Sequence, residues 1–154
     1  MARYRGSGPR DAAEVIDNSQ GRRGHNKRWG SPGHPRAHVS NPNATGPIDS
    51  IEQYSKTGPK SGFFTRPDQD LVVHEILRSS NGNTAMSRLN SGSTQEAITH
   101  GISELRIKAG DWRNGQFNYE FEPAIATLVL QHQQGMMNDP EADVHILTCY
   151  PNWR

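Results

Sequence analysis

Four side chains between residues 74 and 150 carry the functional groups for proton transfer at a phosphodiester. They are His74, Arg88, Thr148 and Tyr150. An imidazole titrates near neutrality and can take the proton of a ribose 2′-hydroxyl, and a guanidinium can pair with a phosphate through two hydrogen bonds. Hydroxyl groups can donate to the oxygens of the phosphorane. The four groups therefore suit metal-free phosphodiester transfer, provided that the fold brings them together.

Arg78 competes with Arg88 for the role of phosphate-binding cation. It lies four residues after His74, which is about one helical turn, so both side chains would lie on the same helix face. The sequence leaves both arginines open for this role.

The last dozen residues, 143–154, are an apolar run rich in β-branched and aromatic side chains. The run predicts a buried strand that ends at Pro151, because proline cannot continue a sheet ladder. Side chains alternate along a strand, so the even-numbered residues from 144 to 150 share one face, and Thr148 and Tyr150 stand together. His145 is a further candidate, but alternation sends it to the opposite face, and without a β-bulge it cannot join their site.

Composition divides the chain into two parts. Only 32% of its 154 residues are hydrophobic, and it contains 15 glycines and 10 prolines. A chain of this composition is too polar to fold uniformly throughout. Residues 1–60 hold ten basic and five acidic side chains, whereas 61–154 hold seven and eleven. We therefore predict a basic, Gly/Pro-rich flexible arm or linker over 1–62 and a globular domain over 63–154.

The predicted arm contains His25, His34 and His38, with Trp29 among neighbouring cations. Such a mixture can pair with phosphates and stack on bases, which supports an alternative function as a non-catalytic nucleic-acid-binding or protein-interaction module. The surrounding prolines and glycines leave the histidines without a fixed geometry, so a defined metal site is not expected.

Several classes of protein lose support because their motifs are missing. The sequence has no glycine-rich phosphate loop, no His-Glu-x-x-His and no nucleophile elbow, which argues against nucleotide-driven and zinc-hydrolase chemistry. Cys149 is the single cysteine, so an internal disulfide is excluded. No run approaches the roughly 18 apolar residues of a membrane span, and the N-terminus lacks the apolar stretch of a secretory signal. We expect a soluble protein that uses no cofactor.

Apolar periodicity predicts helices first and strands afterwards. The helices are one through 71–78 capped by Asp68 or Asp70, a short one over 84–89 after a break at 81–83, and a longer one over 94–109 capped by Ser93 or Thr94. A turn at 113–116 and strands at 117–121 and 124–130 precede the terminal strand. This order indicates an α+β fold with N-terminal helices packed on a C-terminal antiparallel sheet.

The order of these features resembles a known family. The series His74, Arg88-Leu89, Ser93-Thr94, Trp112 and the terminal Leu147-Thr148-Cys149-Tyr150-Pro151 is similar to the bacterial ribonuclease A-like toxin domain, which is found at the C-terminus of CdiA-type contact-dependent inhibition toxins and related polymorphic toxins. The resemblance covers about residues 70–151. Its most specific part is the terminal Thr-x-Tyr-Pro.

The resemblance implies a ribonuclease A-like α+β fold without disulfides and an endoribonuclease that leaves a 2′,3′-cyclic phosphate. His74 would be the base, Arg88 the phosphate clamp, and Thr148 and Tyr150 the orienting and acid-side donors. The implied partners are an RNA substrate such as tRNA and a cognate immunity protein. The implied location is the cytoplasm of a target cell, reached by secretion or through delivery by a larger toxin or secretion system.

Overall fold

The computed structural model describes residues 1–26, 31–46 and 48–153 of the chain. Its α-helices are α1 (Pro9–Ser19), α2 (Ile51–Tyr54), α3 (Arg66–Arg78) and α4 (Ser80–Asn90). Its strands are β1 (Gly24–His25), β2 (Lys60–Phe63), β3 (Glu96–Gly101), β4 (Ala109–Arg113), β5 (Gln116–Phe121), β6 (Ile125–Gln133) and β7 (His145–Pro151). Short 3-10 helices span Pro35–His38, Ser55–Thr57 and Ser103–Leu105.

All pairs of neighbouring strands are antiparallel in the two described sheets. In the first sheet β6 pairs with β1, β3 and β7, and in the second β4 lies between β2 and β5. The predicted α+β class with antiparallel strands is therefore confirmed. The predicted turn between β4 and β5 is confirmed as well, because Asn114 and Gly115 have φ angles of 53° and 85°, as a two-residue type I′ hairpin requires.

A β-bulge in β7 decides which side chains of the terminal strand face the core. Val129 pairs with Thr148, but Leu130 pairs with Ile146, so Leu147 has no opposite residue on β6. An extra residue reverses the alternation of faces. Ile146 and Cys149 consequently both enter the hydrophobic core, and Thr148 does not. The prediction that the even-numbered residues from 144 to 150 share one face was wrong for this reason.

The predicted helix over 94–109 was also wrong, because this segment forms strand β3 and a 3-10 turn. Along β3 the burial alternates, with Ile98 buried between the exposed side chains of Ala97 and Thr99. The whole length of β3 is paired with β6. This pairing satisfies the backbone of β6 on that edge, and such a long-range contribution outweighs helical spacing in a segment rich in β-branched residues.

Helix α3 was predicted to run through 71–78, and it begins five residues before Leu71, at Arg66. Its N-cap is Thr65, whose hydroxyl accepts a hydrogen bond from the backbone N–H of Asp68, rather than Asp68 or Asp70. The break to the next helix lies at Ser79, which caps α4, and not at 81–83. Both shifts follow from side chains that satisfy the first N–H groups of a helix.

The described part of segment 1–62 differs from the predicted flexible arm. Ala12, Val15 and Ile16 of α1 belong to the same core cluster as residues of α3, β6 and β7. The Oγ of Ser19 accepts a hydrogen bond from the N–H of Ile146 at 2.9 Å. Apolar side chains on one face of α1 thus pack this segment on the core, despite its polar composition.

Within the described residues, no helix has both the length and the apolar character needed to cross a membrane. Cys149 is fully buried, and burial raises the pKa of its thiol. The single cysteine is therefore a core side chain of β7.

Candidate functional site

A cleft of about 330 Å³ opens beside the end of β7. It is lined by side chains from three separated parts of the chain, including His34, His38, Tyr54, Lys60, Thr148 and Tyr150. With Ser61, which also lines it, the cleft combines two imidazoles, one ammonium group and four hydroxyl groups. This set contains acid–base groups, hydrogen-bond donors and a positive charge in one concave surface.

The first wall of the cleft is the 3-10 helix Pro35–His38, which is tied to β7. The backbone N–H of His34 donates to the carbonyl of Leu147 at 2.7 Å, at the bulge. Arg36 is buried and its guanidinium makes ion pairs of 2.9 Å with both Asp17 of α1 and Asp70 of α3. Burial raises the pKa of Asp70, and the charge of Arg36 opposes that shift. A paired, buried arginine fixes the position of the short helix.

His38 is held as a neutral imidazole. Its Nδ1 lies 2.8 Å from the backbone oxygen of Ser61; a carbonyl can only accept, so Nδ1 carries the proton and Nε2 has the lone pair. Burial lowers the pKa of His38 to about 3. The ring therefore remains uncharged throughout the neutral range.

His34 is less enclosed. Burial lowers its pKa, the nearby Pro32 carbonyl acts in the opposite direction, and the charge of Lys60 lowers it further. Its ring lies edge-on to Tyr54, with centroids 5.8 Å apart. The lowered pKa favours the neutral imidazole, and a neutral imidazole that lines the cleft can accept a proton.

The second wall is formed by β2 and β7. The ring of Tyr150 lies 5.1 Å from the ring of His38, and the ammonium group of Lys60 lies 4.6 Å from the centre of the Tyr54 ring. The Oγ1 of Thr148 is buried and has no hydrogen-bond partner among the described residues. An unpaired buried hydroxyl is costly in a native structure, so Thr148 brings an unused hydrogen-bonding group to the wall of the cleft.

The structure brings together the hydroxyl pair that the sequence identified, but it places His74 and Arg88 elsewhere. The Nδ1 of His74 is 2.7 Å from the hydroxyl of Tyr4, and His74 does not line the cleft. The side chain of Arg88 is 69% exposed and lies 3.5 Å from Glu96. Arg78 donates to the carbonyl of Gly6 at 3.2 Å, close to the Tyr4 end of the chain.

His145 lies on the same sheet face as Thr148, because the bulge reverses the alternation that would have separated them. Its ring is nevertheless 1% exposed and lies beneath β1, where a side chain at Gly24 would collide with it. Burial lowers the pKa of His145 to about 4. His145 is therefore a neutral buried ring that does not line the cleft.

Sequence reasoning missed His34, His38 and Lys60 as partners of the terminal hydroxyl pair. The concentration of histidines in 25–38 is visible in the sequence, but the prolines and glycines around it predict no fixed geometry. What fixes the segment is Arg36, whose partners Asp17 and Asp70 come from two different helices. Trp29, the predicted stacking residue, lies outside the described residues, as do the cations beside it at 27 and 28.

Comparisons of the chain with protein-family models, with curated proteins and with solved structures gave no match. In the described part of the chain, no group of three or more His, Cys, Asp or Glu side chains is arranged to hold a metal ion. The fold and the site together define an α+β protein with a two-histidine, hydroxyl-rich cleft beside its terminal strand.

Proposed function

We propose that the protein is a metal-independent endoribonuclease that cleaves RNA at this cleft through the ribose 2′-hydroxyl. The observation that supports the proposal best is the convergence of His34, His38 and Lys60 with Thr148 and Tyr150. Proton acceptors, a cation and hydroxyl donors are the groups that transphosphorylation needs. The proposal moves the base from His74 to His34, and the phosphate-binding cation from Arg88 to Lys60.

In the first step, His34 accepts the proton of the 2′-hydroxyl as its oxygen attacks the adjacent phosphorus. The P–O5′ bond breaks, and Tyr150 donates its phenolic proton to the departing 5′-oxygen. The products are a 2′,3′-cyclic phosphate and a free 5′-hydroxyl. Proton transfer of this kind contributes roughly 10²–10⁴-fold to a rate.

Lys60 and Thr148 act on the phosphorane. The ammonium group of Lys60 stabilises its negative charge, and the unpaired hydroxyl of Thr148 donates to a non-bridging oxygen. His38, with Nδ1 fixed on Ser61, packs against Tyr150 and holds the phenol in position. His38 is thus a positioning residue for Tyr150.

The terminal Thr-x-Tyr-Pro supports the further proposal that the protein is a toxin of the ribonuclease A-like class. Such a protein would act in the cytoplasm of a target cell, after secretion or delivery by a larger toxin or secretion system. Its partners would be an RNA such as tRNA and a cognate immunity protein. The ribonuclease A-like arrangement of the helices and sheets is part of this proposal.

The test is cleavage of total RNA and tRNA in EDTA by the wild-type chain and by His34→Ala, Lys60→Ala and Tyr150→Phe. We expect each variant to lose at least about 100-fold in rate, as the loss of an acid, a base or a charge-stabilising group predicts. The matched controls are His100→Ala and Lys108→Ala, whose side chains bond to Asn81 and Glu120 away from the cleft. These should cleave like the wild type.

The product is identified as a 2′,3′-cyclic phosphate by mass spectrometry. Unchanged cleavage by His34→Ala and Tyr150→Phe would contradict the proposed site. RNA that is bound with a steep salt dependence but never cut would instead favour the non-catalytic binding module.

A further inference from the structure

A second cavity, of about 600 Å³, adjoins the cleft. Its walls include Gln20, Pro32, Ile48 and Asp49, and it shares His34 and Tyr54 with the cleft. The lining is mostly apolar. A volume in this range is typical of small-molecule sites, which are also mostly apolar with a few placed polar groups.

The walls of this cavity are held by specific hydrogen bonds. The amide of Gln20 uses both ends, since Nε2 donates to the carbonyl of Ile48 at 3.2 Å and Oε1 accepts from the N–H of Arg36 at 2.9 Å. Gly33 is packed so closely that a Cβ would lie 2.3 Å from the carbonyl oxygen of Ser19. The cavity is therefore bounded by backbone that cannot easily collapse into it.

One polar atom in the wall is unsatisfied. The Oδ1 of Asp49 is buried and has no hydrogen-bond partner among the described residues. Buried acceptors are paired in the great majority of cases, because desolvation without a partner costs free energy. The Asp49 carboxylate thus has one oxygen without a hydrogen-bond partner at the wall of the cavity, and such an oxygen accepts from N–H donors.

The position of the cavity relates it to one nucleotide of the substrate. The 2′-hydroxyl that attacks belongs to the nucleotide on the 5′ side of the scissile phosphate. Since His34 and Tyr54 line both spaces, the base of that nucleotide can enter the second cavity while its phosphate lies in the cleft. Aromatic side chains and hydrogen bonds to base edges are the usual means of single-strand RNA recognition.

A carboxylate can distinguish between the four bases by the donors on their edges. Guanine presents two adjacent donors, N1–H and the N2 amino group, which match the two oxygens of one carboxylate. Adenine and cytosine present one amino group beside an acceptor, and uracil presents one N–H between two carbonyls. We propose that this cavity is a guanine-binding subsite, with Asp49 as the residue that selects guanine on the 5′ side of the cleavage point.

This inference rests on the proposed ribonuclease activity, and its test separates the two. The substrates are the dinucleotides GpA, ApA, CpA and UpA, with inosine in IpA as a fifth. We expect the wild-type chain to cleave GpA at least tenfold faster than the other standard dinucleotides. IpA lacks the N2 amino group, so its cleavage rate should be about tenfold lower than that of GpA, as the loss of one hydrogen bond predicts.

Asp49→Asn should cleave GpA at least about tenfold more slowly than the wild type. Its rates on ApA, CpA and UpA should change little. The control Glu122→Gln alters an exposed carboxylate in the loop before β6 and should retain the guanine preference. Binding of guanosine 3′-monophosphate and adenosine 3′-monophosphate is measured by calorimetry with the same proteins. The inosine comparison uses the unaltered chain, so it holds even where a variant folds poorly.

The outcomes distinguish the two proposals. Cleavage with no base preference, or a preference that neither inosine nor Asp49→Asn reduces, would overturn the guanine subsite and leave the ribonuclease in place. Selective binding of guanosine 3′-monophosphate that Asp49→Asn abolishes, without any cleavage, would support the subsite and refute the ribonuclease. Neither cleavage nor nucleotide binding would overturn both.

Discussion

The imidazole of His38 packs against the phenol of Tyr150 with ring centroids 5.1 Å apart. One ring comes from a short 3-10 helix near the start of the chain, and the other comes from the last strand. The Tyr54 ring also lies edge-on to His38, with a centroid distance of 5.0 Å. All three rings line the cleft.

The Tyr150 hydroxyl can be removed without disturbing the contact between the rings of Tyr150 and His38. Tyr150→Phe keeps the ring and its packing, so we expect a melting temperature close to that of the wild type. The rate of RNA cleavage should fall by about 100-fold or more, because the acid for the leaving oxygen is lost. Single-turnover cleavage and thermal unfolding measure the two properties. Wild-type rates in Tyr150→Phe would remove the phenol from the mechanism.

Arg36→Ala should strongly destabilise the fold. The side chain is 3% exposed and pairs with Asp17, Gln69 and Asp70, and removing one partner of a buried ion pair typically costs about 3–5 kcal/mol. The matched control is Arg88→Ala, at an exposed pair, which should change the free energy of unfolding by less than about 1 kcal/mol. Urea denaturation compares them. Equal effects of both variants would show that the buried network does not hold the 3-10 helix.

Stability should decrease as the pH falls below about 6.5. His38 and His145 have pKa values of about 3 and about 4 when folded, whereas an unfolded histidine titrates near 6.5. The unfolded chain therefore binds more protons between these values, and each buried ring costs about 2 kcal/mol between pH 6.5 and pH 5. Urea denaturation at both pH values, repeated with His38→Gln, tests this. The variant should show a smaller loss on acidification than the wild type.

His74→Ala distinguishes between His74, the base predicted from the sequence, and His34, the base proposed from the cleft. If His74 is the base, the variant loses RNA cleavage; if His34 is the base, cleavage persists and His34→Ala loses it. We expect the second result, because His74 bonds to Tyr4 and does not line the cleft. Loss of that hydrogen bond should lower the free energy of unfolding by about 1 kcal/mol. Cleavage kinetics of both variants identify the base, and urea denaturation measures the change in the free energy of unfolding.

The pH dependence of the cleavage rate also tests whether His34 is the base. The base must be neutral to accept a proton, and burial and nearby Lys60 lower the pKa of His34. The rate should therefore rise with pH and level off with a midpoint below 6.5. Lys60→Ala should move that midpoint upwards, since the opposing charge is gone. A midpoint that stays unchanged in this variant would show that the titrating group is not beside Lys60.

Local sequence patterns predicted several elements without knowledge of their partners. Helix α3, the Asn114-Gly115 hairpin and strands β5, β6 and β7 were predicted from periodicity and turn residues, and the hydroxyl pair Thr148 and Tyr150 from the terminal run. Periodicity and turn residues are properties of short stretches of chain, so they are visible in the sequence.

The tertiary structure alone decided which faces and segments meet. The bulge at Leu147 reverses the faces of β7, and the pairing of β3 with β6 overrides a helical pattern. Arg36 draws His34 and His38 towards the terminal strand by ion pairs with Asp17 and Asp70. Each of these three features depends on contacts between residues that are far apart in the chain. A short stretch of sequence does not show which distant residues will meet. The sequence by itself therefore determined the hydroxyl pair, and the fold decided which histidines it faces.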